Sequence, residues 1–211
     1  MFVSMDNQKS PLIDDCEVYV VHAPKGYESH AQHIRQHFDK QGIPFEFVSE
    51  ENFASGRIGV SDFDKYFTQG LIDHSSKGAL FCTLSHIAAY YKLIASNKKF
   101  ALMFEDDAWL APHFSERLEK MHSEVAALPP GFLISLENTY LKYPSFFQSR
   151  KGKYLYKASV GRMAGGYIID RAGAQRCIEY LEAHKCGDII DLWHNKLRAE
   201  SNLTIYWAHP T

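Results

Sequence analysis

The sequence contains no run of about 18 apolar residues, the length that a helix needs to cross a bilayer. We therefore expect no transmembrane helix, and the first ten residues lack the basic start and apolar stretch of a signal peptide. Cysteine is scarce, and Cys16, Cys82, Cys177 and Cys186 form no CxxC pair. Isolated thiols are typical of a reducing compartment, so we expect a cytoplasmic protein, with peripheral attachment to the inner face of a membrane still open.

Net charge is nearly absent as well. A formal charge of −2 and a pI near 6.6 give no general attraction to nucleic acid or anionic lipid, so such contacts would need a local patch. No nucleic-acid partner is predicted, and no protein partner is evident. A chain of 211 residues can bury one good core but hardly two, so we expect residues 1–211 to form a single domain.

Apolar runs typical of strands alternate with stretches of helical periodicity along the chain. The clearest helix is predicted from Leu80 to about Asn97, and a strand from Phe100 to Phe104 follows it. Strands without clean polar alternation, placed between amphipathic helices, indicate an α/β fold with a mostly parallel sheet covered on both faces. Other strands are predicted to begin near Cys16, Pro44, Phe132, Gly165 and Leu203, other helices cover about 29–41, 114–128, 174–181 and 189–198, and residues 50–77 are expected to be loop with one short helix.

Three consecutive carboxylates, Glu105, Asp106 and Asp107, end the apolar strand in FALMFEDDAWL. Neighbouring ionised carboxylates raise one another's pKa, and a divalent cation removes that cost. Hard oxygen ligands suit Mg²⁺ or Mn²⁺, which take one or two protein carboxylates and complete their shell with phosphate oxygens and water. We therefore predict a cation that bridges to a diphosphate at the carboxyl edge of the sheet. For these three residues alone, an equal alternative is a solvated acidic loop, or charges at a helix N-terminus that the helix dipole before Pro112 favours.

A second motif lies just before this strand. In KGALFCTLSH, the residues Gly78, Cys82, Ser85 and His86 precede a helix, a short turn and the strand that ends in Glu-Asp-Asp. This arrangement resembles the signature of glycosyltransferase family 25, the lipooligosaccharide galactosyltransferases. Further similar segments follow in the family's order, so the resemblance spans essentially the whole chain. They are VVHA, GIPFEF, FLISLEN, AGGYIIDRAGAQ, IIDLWHNK and IYWAHP.

The resemblance implies a Rossmann-like fold of the GT-A type and a metal-dependent hexosyltransferase. The reaction would move a sugar, often galactose, from a UDP-sugar to a hydroxyl of a glycan or glycolipid with inversion, using Mn²⁺ or Mg²⁺. By resemblance, Asp107 is the first metal ligand to expect, Glu105 the second, and His209 a stand-in for a late ligand. The residues expected to bind the donor are Val21, His22, Ala23, Ser85, His86, Glu105 and Asp106.

An inverting transfer also needs a carboxylate within hydrogen-bond reach of the acceptor hydroxyl. Asp191 matches the family's motif, Asp188 precedes it by about one helical turn, and Glu137 ends a neighbouring predicted strand. We expect Asp191 first and Asp188 second as the catalytic base. Asp188 could equally cap the helix that begins at Ile189.

The family's arginine after the first strand is missing, because Glu28 is followed here by Ser29. Lys25, His30 or Arg35 would have to contact the nucleotide in its place. Two other functions stay open. One is a metal-dependent phosphohydrolase or nucleotidyltransferase that uses the same acids, and the other, suggested by the missing arginine, is a non-catalytic relative that binds a sugar nucleotide.

The segment between Glu137 and Asp170 contains no acidic residue. Its cations and aromatics could bind an anionic acceptor or an anionic membrane face. Alternatively, the segment forms a solvated hairpin whose aromatic side chains pack inward. It carries Lys142, Arg150, Lys151, Lys153, Lys157 and Arg162 together with Tyr140, Tyr143, Phe146, Phe147, Tyr154 and Tyr156.

Overall fold

The computed structural model of the protein describes residues 11–53, 56–139 and 141–210. Its strands are β1 Cys16–Val21, β2 Glu46–Val48, β3 Phe100–Glu105, β4 Phe132–Ser135, β5 Leu155–Lys157, β6 Gly166–Asp170 and β7 Thr204–Ala208. They form one seven-stranded sheet with the order β2-β1-β3-β6-β4-β7-β5. Five of these strands run in the same direction, whereas β5 and β6 run antiparallel to their neighbours.

The described helices include all five long ones that periodicity predicts. The helix predicted from Leu80 begins slightly earlier, because the side chain of Ser76 accepts a hydrogen bond from Ala79 N and caps it. Within the described residues, none of the helices is long and apolar enough to cross a bilayer. The helices are α1 Pro11–Asp14, α2 Glu28–Gln41, α3 Phe63–Tyr66, α4 Gln69–His74, α5 Lys77–Ala95, α6 Phe114–Ala126, α7 Arg171–His184 and α8 Ile190–Glu200.

Helices cover both faces of the sheet, which confirms the predicted mostly parallel α/β fold. Successive residues of β1 alternate between two cores: Tyr19 and Val21 pack in one, and Val18 and Val20 in the other. Helices α5, α7 and α8 supply side chains to the first core, while α2 and α6 supply the second. Burial on both faces explains why the strands lack alternating polar residues. The arrangement is consistent with a Rossmann-like fold of the GT-A type.

Short elements differ from the sequence prediction. The expectation of a single short helix over residues 50–77 is wrong, because α3, α4 and two 3₁₀ turns, Glu50–Asn52 and Val60–Asp62, lie there. Strand β5 was not expected either. It pairs with β7, from Leu155 opposite Ala208 to Lys157 opposite Tyr206, so its conformation depends on a distant partner.

Several of the predicted site residues lie at one edge of the sheet. Strands β1, β3 and β4 end at this edge, as the topology of parallel strands requires. The antiparallel strand β6 begins there, so its first residues adjoin the ends of β3 and β4. Glu105 N donates to Gly165 O (3.2 Å), and Leu136 N donates to Gly166 O (2.9 Å).

Candidate active site

Asp106 is held between two histidines. Its Oδ2 lies 2.6 Å from His22 Nδ1, and its Oδ1 lies 2.9 Å from His30 Nδ1. His22 follows β1 directly and His30 lies in the first turn of α2, so three elements meet at this carboxylate. Because both of its oxygens already have partners, Asp106 is the least available of the three acids for direct contact with a cation.

Glu105 is oriented by two side chains of α5. Its Oε1 lies 3.4 Å from Cys82 Sγ and 3.6 Å from His86 Nε2. Burial alone would raise the pKa of Glu105, but the contacts with His86 and Cys82 outweigh it and lower that pKa below its usual value. Burial and the nearby Glu105 charge raise the pKa of the Cys82 thiol strongly, so Cys82 remains a protonated donor to the carboxylate.

A buried chain of hydrogen bonds fixes the ring of His86. His86 Nδ1 lies 2.7 Å from Tyr167 Oη, which lies 2.7 Å from Tyr90 Oη, which in turn lies 2.7 Å from His194 Nε2. All four side chains are buried. Burial lowers the pKa of His194 to about 3, so that imidazole is neutral at physiological pH. Sequence reasoning missed Tyr90, Tyr167 and His194, because nothing in their spacing shows that α5, β6 and α8 meet.

Asp107 differs from its two neighbours in being exposed. No hydrogen bond or ion pair engages its carboxylate among the residues that the structure describes. It lines a first cavity together with six other residues predicted to bind the donor or the metal: Val21, His22, Ala23, Ser85, Glu105 and Asp106. His86, also predicted there, is fully buried behind Glu105 and does not line this cavity.

Basic side chains complete the first cavity. Lys25 and His30, two of the three residues expected to replace the family's arginine, line it, and Arg57 joins them. The third, Arg35, instead places its guanidinium 4.9 Å from the centre of the Phe47 ring. The cavity therefore combines carboxylates with cations, a mixture that suits a bound anion whose charge is shared with a metal ion.

A second cavity also adjoins Asp107. Asp107 lines it together with Trp109, Glu137 and Gly165. Glu137 Oε1 accepts a hydrogen bond from Gly165 N (3.3 Å), and its Oε2 accepts from the amide (3.2 Å) and the hydroxyl of Thr139. A Cβ at Gly165 would lie 3.8 Å from Glu137 Cδ and 3.9 Å from an oxygen of Glu105. Glycine here leaves open the space between these two carboxylates.

The other two candidate bases, Asp191 and Asp188, line neither of the two cavities. Asp191 Oδ1 accepts a hydrogen bond from Ala164 N (2.8 Å), next to Gly165. Burial raises the pKa of Asp191. The carbonyl of Asp188 accepts a hydrogen bond from Cys186 Sγ (2.9 Å). The alternative role of Asp188 as a helix cap is wrong, since Ile189 is the N-cap residue of α8 and the side chain that accepts from Ile190 N is Thr83 Oγ1 (3.0 Å).

Two further predicted residues have backbone or aromatic partners. Ser85 Oγ donates to Phe81 O (2.8 Å), one turn earlier in α5. His209 follows β7, and its ring packs against Tyr143 and Tyr156 with centroid distances of 5.9 and 6.2 Å. No contact joins His209 to the acidic residues in the described part of the chain, so its role as a metal ligand stays a prediction.

Two donor sets could hold a metal ion. Asp107 offers an exposed hard oxygen donor at the wall of both cavities, which suits Mg²⁺ or Mn²⁺. The ligand atoms of Cys82, His86 and Glu105 also lie within 4.8 Å of one another. A thiol and an imidazole are softer donors that suit other metals, and their contacts here orient Glu105. Of these two donor sets, Asp107 is the one whose ligand chemistry suits a hard cation.

Comparisons with known proteins show which family this chain belongs to. The sequence model of glycosyltransferase family 25, described as an LPS biosynthesis protein, matches residues 27–191, which include Glu105 to Asp107, Glu137 and Asp191. Lipooligosaccharide biosynthesis protein lic2B of Haemophilus influenzae is 25% identical over 177 residues, which cover 80% of this chain and 63% of that protein.

Two other relatives are similarly distant. A putative glycosyltransferase of Haemophilus influenzae (strain ATCC 51907 / DSM 11121 / KW20 / Rd) is 25% identical over 72% of this chain and 53% of its own length. A glycosyltransferase 25 family member of Aedes aegypti is 25% identical over 67% of this chain and 24% of its own length. The chain thus spans less than two thirds of each of these relatives. Since the family model matches most of its length, this chain belongs to glycosyltransferase family 25.

Proposed function

We propose that this chain is a hexosyltransferase that moves galactose from UDP-galactose to a hydroxyl of a lipopolysaccharide or lipooligosaccharide glycan, with inversion and with Mn²⁺ or Mg²⁺ bound. The observation that carries the proposal is the position of Asp107, which lines both cavities. A diphosphate in the first cavity and a glycan in the second would meet at this carboxylate. The names of the relatives support the glycan class.

The first cavity suits a nucleotide diphosphate. Lys25, His30 and Arg57 can supply positive charge to phosphate oxygens. Asp107 would hold the cation directly, while Glu105 and Asp106, which have protein partners, would contact its waters or the ribose. A divalent cation bound there would stabilise the negative charge that accumulates on the departing diphosphate.

Glu137 is the carboxylate that the geometry favours as the base. It lines the second cavity, where an acceptor hydroxyl would lie, whereas Asp191 and Asp188 do not. Bonds from Gly165 N and Thr139 fix its carboxylate, so it is held ready to accept the proton of the attacking hydroxyl. Asp191, which sequence reasoning ranked first, would instead position the Ala164–Gly165 backbone through its bond to Ala164 N.

The proposal is tested by measuring UDP release from a panel of nucleotide sugars, with and without a truncated lipooligosaccharide acceptor and with Mn²⁺ or EDTA. We expect release that requires acceptor and cation together and is fastest with UDP-galactose. Free sugar or phosphate formed without acceptor would favour a hydrolase instead. Cation-dependent UDP binding without turnover on any glycan would favour a non-catalytic binding protein.

A variant separates catalysis from binding. Glu137→Gln should lower kcat by about 10²- to 10⁴-fold, the usual range for a lost general base, and leave UDP affinity unchanged. The matched control is Glu119→Gln, an exposed position of α6 outside both cavities, which should not alter kcat. If Asp191→Asn abolishes turnover and Glu137→Gln does not, the base is Asp191.

A further inference from the structure

A turn at residues 145–148 presents two phenylalanines to solvent. Phe146 is 88% exposed and Phe147 is 92% exposed, more than any other large apolar side chain in the described residues. Their rings contact each other edge to face, with centroids 5.9 Å apart. Leu141, 70% exposed, lies on the same segment. Clustered exposed apolar side chains are typical of a surface that meets a partner.

Hydrogen bonds within the turn hold the two rings outward. Gln148 N donates to Ser145 O (2.9 Å), while Ser145 N and Ser145 Oγ both lie 3.0 Å from Gln148 Oε1. The next residues are fixed by Tyr156, whose hydroxyl accepts from Arg150 N (3.2 Å) and donates to Lys153 O (3.1 Å). The phenylalanines are therefore presented by a structured turn and are not packed inward.

The charged residues within this segment of the sequence all have one sign. No acidic residue occurs between Glu137 and Asp170, and Arg150, Lys151 and Lys153 are exposed directly after the phenylalanines. This local excess of cations contrasts with the net charge of −2 for the whole chain. Exposed aromatic side chains with cations beside them are suited to binding an anionic bilayer. The rings can enter the membrane interface, and the cations can contact lipid phosphates.

Buried Arg162 fixes the base of this segment to the proposed active site. Its Nη1 donates to Glu137 O (2.9 Å) and Ala208 O (3.1 Å), and its Nη2 donates to Lys142 O (2.6 Å). Burial lowers the pKa of Arg162 to about 10, so the guanidinium is still charged at neutral pH. Because Glu137 lines the second cavity, Arg162 links the segment that carries the turn, at Lys142, to the wall of that cavity.

We propose that the turn at residues 145–148, together with Arg150, Lys151 and Lys153, docks this protein on a bilayer of anionic phospholipid. Docking there would bring the second cavity toward acceptors carried by the membrane. The link to a membrane-borne acceptor rests on the proposed transfer reaction, whereas binding to lipid does not. Failure of lipid binding and failure of transfer can therefore be told apart.

The test is co-sedimentation of the 211-residue chain with vesicles of phosphatidylcholine alone or with phosphatidylglycerol added, without donor or acceptor. We expect binding to the anionic vesicles only, and weaker binding as salt is raised. Phe146→Ser combined with Phe147→Ser should lower the vesicle partition coefficient at least about tenfold, because both rings lose their interfacial contact. Arg150→Glu combined with Lys151→Glu should lower it by a similar factor.

Matched controls remove the same chemistry elsewhere. Val60→Ser removes an apolar side chain that is 48% exposed, and Lys40→Glu reverses an exposed charge in α2; neither should alter partition. Unchanged melting temperatures would show that all variants fold. Equal binding of the Phe variant, equal binding to neutral vesicles, or no binding at all would overturn the proposal. So would self-association through the turn, or retention of a soluble anionic polysaccharide in place of vesicles.

Discussion

Asp191 carries its charge in a partly buried position. Burial disfavours the ionised form and raises the pKa of Asp191 above its ordinary value, and the charge of Glu105 adds to the effect. A carboxyl group whose pKa is raised on folding destabilises the native state wherever it is ionised, which includes neutral pH. The penalty disappears as pH falls and the carboxyl binds a proton.

Asp191→Asn tests this statement. The amide removes the charge but keeps an oxygen that can accept from Ala164 N. We expect the melting temperature of the metal-free protein to rise at pH 7. The difference from the wild type should shrink as pH falls through the raised pKa of Asp191 and vanish below the ordinary pKa of an aspartate. Asp39→Asn, at an exposed position of α2, is the control. A lower melting temperature at pH 7 would contradict the pKa argument.

Single residues also show how far the sequence could predict the site. The Glu105 to Asp107 cluster was visible because three carboxylates follow an apolar strand. The two histidines on Asp106 were not visible as its partners, since they lie 84 and 76 residues away along the chain. Residue types indicate which chemistry is available, but the fold decides which of the three acids remains open to a ligand.

At the scale of elements, Asp170 joins a helix to a strand. Its carboxylate caps α7 by accepting from Gly173 N (2.9 Å), and it also accepts from Gly131 N (2.8 Å) and Phe132 N (2.7 Å) at the start of β4. The side chain is buried, so no water can replace these bonds. Asp170→Ala should therefore cost about 3 to 5 kcal/mol of unfolding free energy, since it leaves three amides without their acceptor.

Urea unfolding measures this cost. The matched control is Ser76→Ala, which removes a single exposed cap of α5 and should cost about 1 kcal/mol. Asp170→Asn, which keeps one acceptor oxygen, should fall between the two. Equal losses for Asp170→Ala and Ser76→Ala would mean that Asp170 acts only as a helix cap.

Elements also differ in how well the sequence predicts them. Helices α2, α5, α6, α7 and α8 were predicted because an amphipathic period over ten or more residues is a local signal. Strand β5 was missed because three residues carry no period, and only its pairing with β7 makes it a strand. The short helix α1 also has too few residues to show a period and was missed, and one short helix was expected where α3 and α4 lie.

Across the whole molecule, His194 links stability to pH. Burial lowers its pKa to about 3, whereas a histidine in an unfolded chain has a pKa of about 6.5. Between these values the unfolded chain binds a proton that the native chain does not, so stability falls as pH falls. One such group contributes at most about 1.4 kcal/mol per pH unit.

His194→Gln should make the decline of unfolding free energy between pH 6 and 4 less steep by about that amount, because glutamine can still accept from Tyr90 and does not titrate. Urea unfolding at several pH values measures the slope. His74→Gln, at an exposed position of α4, should leave it unchanged. An unchanged slope in His194→Gln would show that this imidazole is charged or solvated in the native state.

At the scale of the whole molecule, the fold class could be predicted from the sequence but the order of the strands could not. The α/β class followed from apolar strands between amphipathic helices. The strand order, and with it the meeting of Glu105, Glu137 and Gly165 at one edge, required the structure, because β6 enters the sheet antiparallel between β3 and β4. The single domain, the metal ligands and the base remain predictions for experiment.

Melting of the protein with UDP, in Mn²⁺ and in EDTA, tests most directly whether Asp107 holds a cation against a diphosphate. We expect UDP to raise the melting temperature only when Mn²⁺ is present, and Asp107→Asn to abolish the rise. Asp64→Asn, at an exposed position of α3, should retain it. The same rise in EDTA, or a full rise in Asp107→Asn, would contradict the proposed site.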